Sequence, residues 1–304
     1  METTPSSAKP LVILNPFANR GKMHSYRALL RPYVEQAQAD YIETSGCGDA
    51  RERAAHAAEE GRAVVIVGGD GSVHEVANGI LSTGRRVPLS IIPAGSGNDY
   101  AWHALKLPRD PAAAIERAFH GRLIEADAGR INDRFFVNAF GVGLDANIAA
   151  AANRLKKVPF LSGSRLYYTA TLQQLLFGYR RCPWLTFHLD DGVYEQAVEK
   201  RYVLLTVSNG STYGAGFRIN PLADATDGLF DICAIEYMPL LRALKLLPVA
   251  ERGEHAGLPE VTFYRAKTVR IESRQTVNML MDGETMSGNS FNVQILPGAL
   301  CIRV

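Results

Sequence analysis

Ala63-Val-Val-Ile-Val-Gly-Gly-Asp-Gly-Ser-Val-His-Glu-Val-Ala-Asn-Gly79 decides how the rest of the chain is read. Val64 to Val67 is a short apolar run with the length and β-branching of a buried strand. Gly68-Gly69-Asp70-Gly71 then turns the chain. Ser72 with Glu75 has the spacing of a capping box, which places a helix start at Ser72. A strand, a glycine turn and a helix N-terminus together present bare backbone N–H groups and the positive end of a helix dipole, where a phosphate would sit. Glycine lets the backbone come close to such a ligand. An ordinary βα turn with a solvated aspartate would look similar, but a carboxylate beside phosphates implies a bridging Mg²⁺, and Asp70 stands in the middle of the turn.

Outward from this stretch the same alternation repeats. Leu11 to Leu14 is a strand stopped by Asn15-Pro16, and a helix over about 25–38 leads to a strand at 41–43. Gly21-Lys22 has the look of a phosphate loop, but Met23 stands where a Walker A sequence has Ser or Thr. Asp49 with Glu52 predicts a second capping box, opening a helix that ends near Gly61. Strand 88–92 runs into Pro93-Ala-Gly-Ser-Gly-Asn-Asp99, a second glycine-rich turn leading to a helix through Leu105. Two such turns at neighbouring strand ends would face each other across the carboxyl edge of a sheet, the ligand crevice of open α/β folds. Asp110-Pro111 opens a further helix, which Gly121 closes.

The 304 residues suit two domains or one large one, and a formal charge of +2 argues against a general nucleic-acid binder. Four cysteines without a CxxC pair fit a reducing compartment rather than a zinc site or disulfide framework. The first ten residues carry no signal pattern, and no apolar run approaches a membrane span, so a cytoplasmic protein is expected.

After about Leu123 the pattern changes. Residues 123–131, the Asn132-Asp133 turn and 134–140 read as a β-hairpin carrying Asp127. Gly141-Val-Gly-Leu-Asp-Ala146 matches a dinucleotide fingerprint on paper, yet no acid occurs between Asp145 and Asp190 to take a ribose. That acid-free stretch contains Arg154, Lys156, Lys157, Arg165, Arg180 and Arg181 among apolar residues. It reads either as a segment lying on an anionic membrane or as a core helix with solvated ends. The remainder is mostly β, with strands at 202–207, 230–235, 269–272, 277–281, 291–296 and 300–304. The chain thus divides into an α/β domain, 8–127, and a β-sandwich or barrel-like domain, 128–304, whose last strands could return to the first. His74 reads as helix surface, because Asn78 stands where a zinc motif needs a second histidine.

These residues carry a resemblance. Gly68-Gly-Asp-Gly-Ser72 with Glu75 and Asn78-Gly79 resembles the signature of the diacylglycerol kinase catalytic family, including bacterial soluble lipid kinases, and is similar to sphingosine kinases. Asn15-Pro16 with Gly21-Lys22, Pro93 to Asp99, Asp127-Ala-Gly129, Gly141 to Asp145, Asn209 to Phe217 with Pro221, Ala223 and Asp227-Gly228, and Asp282-Gly-Glu284 follow in the family's order. NAD kinases and phosphofructokinases share only the Gly-Gly-Asp-Gly element. Ala18-Asn19 and the serines at 72 and 96 depart from the family's commoner residues, though serine keeps the hydroxyl.

The resemblance implies a phosphofructokinase- or NAD-kinase-like α/β domain followed by a β-rich sandwich domain. It implies Mg²⁺-dependent transfer of the ATP γ-phosphate to a lipid hydroxyl, such as that of diacylglycerol, by a peripherally membrane-associated enzyme, and it is compatible with a homodimer. Candidate nucleotide contacts are Asn15, Thr44, Gly69, Asp70, Gly71, Ser72, Glu75, Gly95, Ser96, Gly97 and Asn98. Asp70, Asp127 and Asp282 would form a carboxylate and Mg²⁺ network, with Asp282, beside Glu284, as general base. A second Mg²⁺ would sit on Asp227 and carbonyls near Asp224 and Leu229. Read without the family, Asp282-Gly283 and Asp227-Gly228 are turns and Asp127 an edge charge. A binding-only regulator and a kinase for a soluble hydroxyl compound are the rival functions.

Overall fold

Strands β1 (Leu11–Leu14) and β3 (Val64–Gly68) are apolar throughout because both their faces are covered. The computed structural model describes residues 8–155, 163–190, 194–214 and 216–304. Lys156, Lys157 and Ala215 lie outside them, as does the Arg165 side chain. Leu11, Ile13, Val64 and Ile66 face one core with Ala54 and Ala57 of α2 (Asp49–Glu59) and Val76 and Ile80 of α3 (Asp70–Ser82). Val12, Leu14, Val65 and Val67 alternate onto the other face, against Leu30 of α1 (His24–Gln36) and Ile115 of α4 (Pro111–His120). With β2 (Asp40–Glu43) and β4 (Pro88–Pro93) these strands run parallel in the order β2-β1-β3-β4.

Helix starts bear out one expectation and correct two. Asp110 caps α4, its carboxylate accepting from the Ala113 N–H at 2.9 Å. The two capping boxes do not form. Helix α2 begins at Asp49 behind a left-handed Gly48, and the Asp49 carboxylate takes the Ser45 N–H at 2.8 Å. Helix α3 begins at Asp70, two residues before Ser72, with Gly69 at the cap. A glycine at both caps leaves the position without a side chain.

The second half opens with the expected hairpin, β5 (Leu123–Ile131) with β6 (Arg134–Phe136), turned at Asn132 with φ 49°. Then follow β7 (Ala139–Gly143), α5 (Leu144–Leu155), α6 (Gly163–Gln173), β8 (Trp184–Leu189), β9 (Tyr194–Ser208), β10 (Phe230–Glu236), α7 (Leu240–Arg252), β11 (Val261–Ala266), β12 (Thr268–Met281) and β13 (Glu284–Arg303). β9 and β12 each pair with both β7 and β8, closing these strands around Phe140, Phe187 and their neighbours. Two pairs of expected strands are single long ones. β12 absorbs its break as a bulge between Glu272 and Val277, and β13 absorbs Pro297-Gly298 between Leu296 and Leu300. Helix α7 lies in a region read as mostly β. Its Leu246 and Ala250 pack with Ile235 and Val261, and Gly253 ends it at φ 76°.

β13 joins the halves. It pairs with β12 and then β5, and Cys301 to Arg303 lie parallel to Pro88 to Ser90 of β4. The described strands therefore form one sheet of thirteen.

Gly79 is set by packing, since a Cβ there would lie 2.3 Å from the Arg51 carbonyl oxygen of α2. Gly79→Ala gains roughly 1 kcal/mol of helix propensity but forces α2 off α3, an overpacking cost of about 1–3 kcal/mol. A lower unfolding free energy in urea is the expected result; a stabilised variant would show that α2 gives way freely.

Candidate active site

The Gly69 cap has no side chain, so the N–H groups of the first turn of α3 have no side-chain partner. They open onto a groove of about 540 Å³ lined by Asn15, Thr44, Gly69, Gly71, Ser72, Glu75, Gly95 and Ser96, with Phe17, Arg20 and Cys47 also at its wall. The two glycine turns touch. A Cβ on Gly95 would stand 2.4 Å from the Gly69 Cα, so only glycine allows this approach. Ser72 accepts from the Asn15 amide at 2.8 Å, tying the end of β1 to α3. Asn98 departs from the expectation. Its side chain folds back on Gly95, accepting from the N–H at 2.9 Å and donating to the carbonyl at 2.8 Å. It shapes the turn, and its own N–H donates to Asp70 at 2.7 Å.

Beside the groove lies a pocket of about 270 Å³ whose lining includes Asp70, Gly97, Asp99, Tyr100, Asn138, Tyr213, Asp282 and Gly283. Burial, and next the Asp99 carboxylate, push the Asp70 carboxyl up to about 6. Asp99 was not among the candidates, although it ends the second glycine turn. Asp70 together with Asp99 offers hard oxygen donors on one wall, as a nucleotide-bound Mg²⁺ requires of a protein.

Asp282 and Gly283 form the turn between β12 and β13, as expected of that pair, and Glu284 opens β13 directly after it. Asp282 has φ 45° and its carboxylate is not free. It accepts from the N–H groups of Val137, Asn138 and Ala139 at 2.8, 3.1 and 3.0 Å, and from His74 Nδ1 at 3.1 Å. A carboxylate committed to four donors is an anchor, which corrects its expected role as base. Glu284, whose side chain is 42 % exposed, has only longer contacts, to His74 Nε2 at 3.8 Å and Arg134 Nη1 at 3.7 Å. His74 is thus buried at the site and not on the helix surface. Burial alone would lower its pKa, but the bond to Asp282 and the charges of Asp282, Glu284 and Glu75 outweigh it and hold the imidazole above its usual range. The signal was present in the spacing, because Asp70, His74 and Asn78 fall every four residues on one face of α3.

Asp127 does not join Asp70 and Asp282. It is buried on β5, accepting from the Gly228 N–H at 2.7 Å and the Gly298 N–H at 2.8 Å, so it fastens the turn at Gly228 and the bulge of β13. Burial raises its pKa against those bonds. Asp227 pairs with Arg265 and takes the Leu229 N–H at 3.0 Å, while Asp224 accepts from Thr226. With the guanidinium on Asp227, these residues do not fit a cation. The Asn209 amide donates to the Val137 carbonyl at 3.2 Å, holding its block against the site, and the Tyr213 hydroxyl donates to Asp145, with the Leu280 carbonyl 3.2 Å away.

An aspartate whose pKa rises from 3.8 unfolded to about 6 folded opposes folding above pH 6 by roughly 3 kcal/mol, and not at all below about pH 4. Asp70→Asn, which keeps an acceptor for Asn98, is therefore expected to unfold at higher temperature than wild type at pH 7, with the gap closing as pH falls to 4. A variant less stable at pH 7 would contradict the assigned environment.

The Diacylglycerol kinase catalytic domain family matches residues 9–131, and the YegS C-terminal NAD kinase beta sandwich-like domain family matches residues 138–304. A diacylglycerol kinase of Mycobacterium tuberculosis (strain H37Rv) is 32% identical over 303 residues, 96% of this chain and 94% of that protein. One of Staphylococcus carnosus is 30% identical over 281 residues, 90% of this chain and 87% of that protein. Among solved structures, a diacylglycerol kinase from Bacillus anthracis superposes with a TM-score of 0.74 at 22% identity, covering 97% of this chain and 96% of that one, a likeness of fold. Matched along nearly its whole length, by both halves and by relatives at this identity, the chain belongs to the diacylglycerol kinase family of lipid kinases.

Proposed function

We propose that this kinase transfers the ATP γ-phosphate, with Mg²⁺, to the hydroxyl of a lipid of the diacylglycerol type. The observation that carries this reading is the adjacency of two cavities. The carboxylate-lined pocket shares Tyr213, Gly214 and Leu280 with an apolar cavity of about 240 Å³, whose walls include Ile148, Leu175, Leu204, Phe217 and Leu247. An acceptor with a hydroxyl at one end and an acyl chain at the other fits that sequence of surfaces, whereas a soluble polyol would leave the apolar part unfilled.

The residues divide the work of phosphoryl transfer. The first-turn N–H groups of α3 and the Gly95-to-Gly97 turn cradle phosphate oxygens, and Arg20 adds a cation at the groove wall. Mg²⁺ held by Asp70 and Asp99 would neutralise the charge that develops on the phosphates. Glu284 accepts the proton of the attacking hydroxyl, and Asp282 fixes the turn from which Glu284 projects. The Tyr213 hydroxyl bounds the polar end of the acyl cavity.

Access from a bilayer is supported by the face around the cavity. Leu244 and Leu247 of α7 line it and are also exposed, as are Leu172 of α6 and Leu176 and Phe177 just beyond that helix. A groove bearing Arg180, Arg181, Arg201 and Arg274 adjoins exposed Trp184, a pattern suited to an anionic membrane surface. No helix among the described residues is long and apolar enough to cross a membrane.

The test is transfer of labelled γ-phosphate from Mg·ATP to micellar lipids and to soluble alcohols, with Glu284→Gln and Leu204→Trp in parallel. Wild type should label diacylglycerol, Glu284→Gln should lose about 10²- to 10⁴-fold in kcat, and Leu204→Trp should raise KM for long-chain lipid while leaving KM for ATP. Labelling of a soluble alcohol in preference to any lipid would overturn the acceptor; Leu204→Trp with unchanged lipid KM would overturn the cavity's role.

A further inference from the structure

We infer that His74 is a positioning residue that holds the Glu284 carboxylate in register with the phosphate end of α3. This rests on the phosphoryl-transfer reading above. His74 is only 5 % exposed, on a helix whose other neighbours at the site are Asp70 and Asn78. Asp282 Oδ2 also accepts the Val137 N–H, so the carboxylate acts as acceptor and Nδ1 is the nitrogen that carries hydrogen in the 3.1 Å contact. In the imidazolium form, which the surrounding carboxylates favour, Nε2 also carries hydrogen and faces Glu284 Oε2 at 3.8 Å, an ion-pair distance.

The carboxylates facing the ring are Asp282 and Glu284 from the β12–β13 turn and Glu75 from its own helix, and Arg134 of β6 reaches the same Glu284 oxygen at 3.7 Å. Below the ring, Asn78 locks α3 to β6. Its amide donates to the Phe135 carbonyl at 2.9 Å, and its oxygen accepts the Phe135 N–H at 3.1 Å. A half-exposed glutamate has rotamer freedom to lose on being ordered. Two positive or hydrogen-bearing groups on one of its oxygens, from two different elements, reduce that freedom before substrate arrives. Four residues of helix separate Asp70 from His74, a rise of about 6 Å. One rigid helix thereby sets the spacing between the phosphate-binding turn and the base, through the Asp282 anchor and the imidazole edge.

The experiment is a double-mutant cycle with His74→Ala, Glu284→Gln and the pair, assayed on the lipid that wild type phosphorylates, with His74→Asn as the conservative variant. Misplacing a base by about 1 Å can lower rate on the order of 10²-fold, so His74→Ala should lower kcat 10- to 100-fold with KM for ATP within twofold. In the Glu284→Gln background the same change should alter kcat less than twofold. His74→Asn, whose amide nitrogen takes the place of Nδ1 but leaves nothing at Nε2, should restore the Asp282 bond yet keep kcat more than about threefold below wild type. Equal losses in both backgrounds, or an unchanged kcat in folded His74→Ala, would overturn the inference. Long-range ¹⁵N correlation spectra of the imidazole need no turnover. A protonated Nδ1 and an Nε2 resonance that moves in Glu284→Gln are expected, and a ring indifferent to that substitution would overturn the contact. Absence of transfer by wild type, with the imidazole signals as expected, would strike the proposed reaction and leave the His74 geometry standing.

Discussion

Four hydrogen bonds converge on the carboxylate of Asp282, and the geometry of the site depends on them. Three come from successive backbone N–H groups, Val137 to Ala139, and one from His74. They bind the junction of β6 and β7, the turn between β12 and β13, and helix α3 to one another. Hydrogen bonds to a charged group contribute about 1.5–3 kcal/mol each, enough to hold Asp282 at φ 45° in a turn where glycine or asparagine would be at ease. Asp127 repeats the device on β5, where it gathers the Gly228 and Gly298 N–H groups. Both aspartates are buried because backbone donors replace water around their charge.

The long strand β13 carries this local order across the molecule. It leaves the turn at Glu284, crosses the second half beside β12 and β5, and ends parallel to β4. The residue proposed as base and the last strand of the nucleotide-binding half are thus one piece of extended chain. The groove at α3, the carboxylate pocket and the apolar cavity follow one another in the order the proposed transfer requires, and Tyr213 and Leu280 stand between the last two.

Much of the first half could be read in advance, since its order is local. Val64 to Val67 had to be a strand covered on both faces, Gly69 and Gly95 had to lie in turns, and Asp110-Pro111 had to open a helix. The capping boxes misled because the spacing of a capping residue to Glu says nothing about whether the chain enters the helix earlier, as it does through Gly48 and Gly69. Leu240 to Arg252 was missed among β-rich neighbours, with Pro248 inside it breaking the helical pattern. Strands β12 and β13 were cut short because polar or turn-forming residues interrupt them, and a bulge tolerates both. His74, Asp99 and the true partners of Asp127 and Asp282 depend on contacts between residues far apart in sequence, which no local pattern contains. The His74–Asp282 bond alone spans 208 positions.

The most direct test of the claim that Asp282 anchors the site is the unfolding free energy of Asp282→Asn, measured together with amide exchange at 137–139. An amide in place of the carboxylate turns a donor toward N–H groups that need an acceptor, at a cost of about 2–5 kcal/mol. The account predicts a loss of that size and faster exchange at those three amides. Wild-type stability and unchanged protection, with turnover abolished, would contradict it and return Asp282 to the chemistry itself.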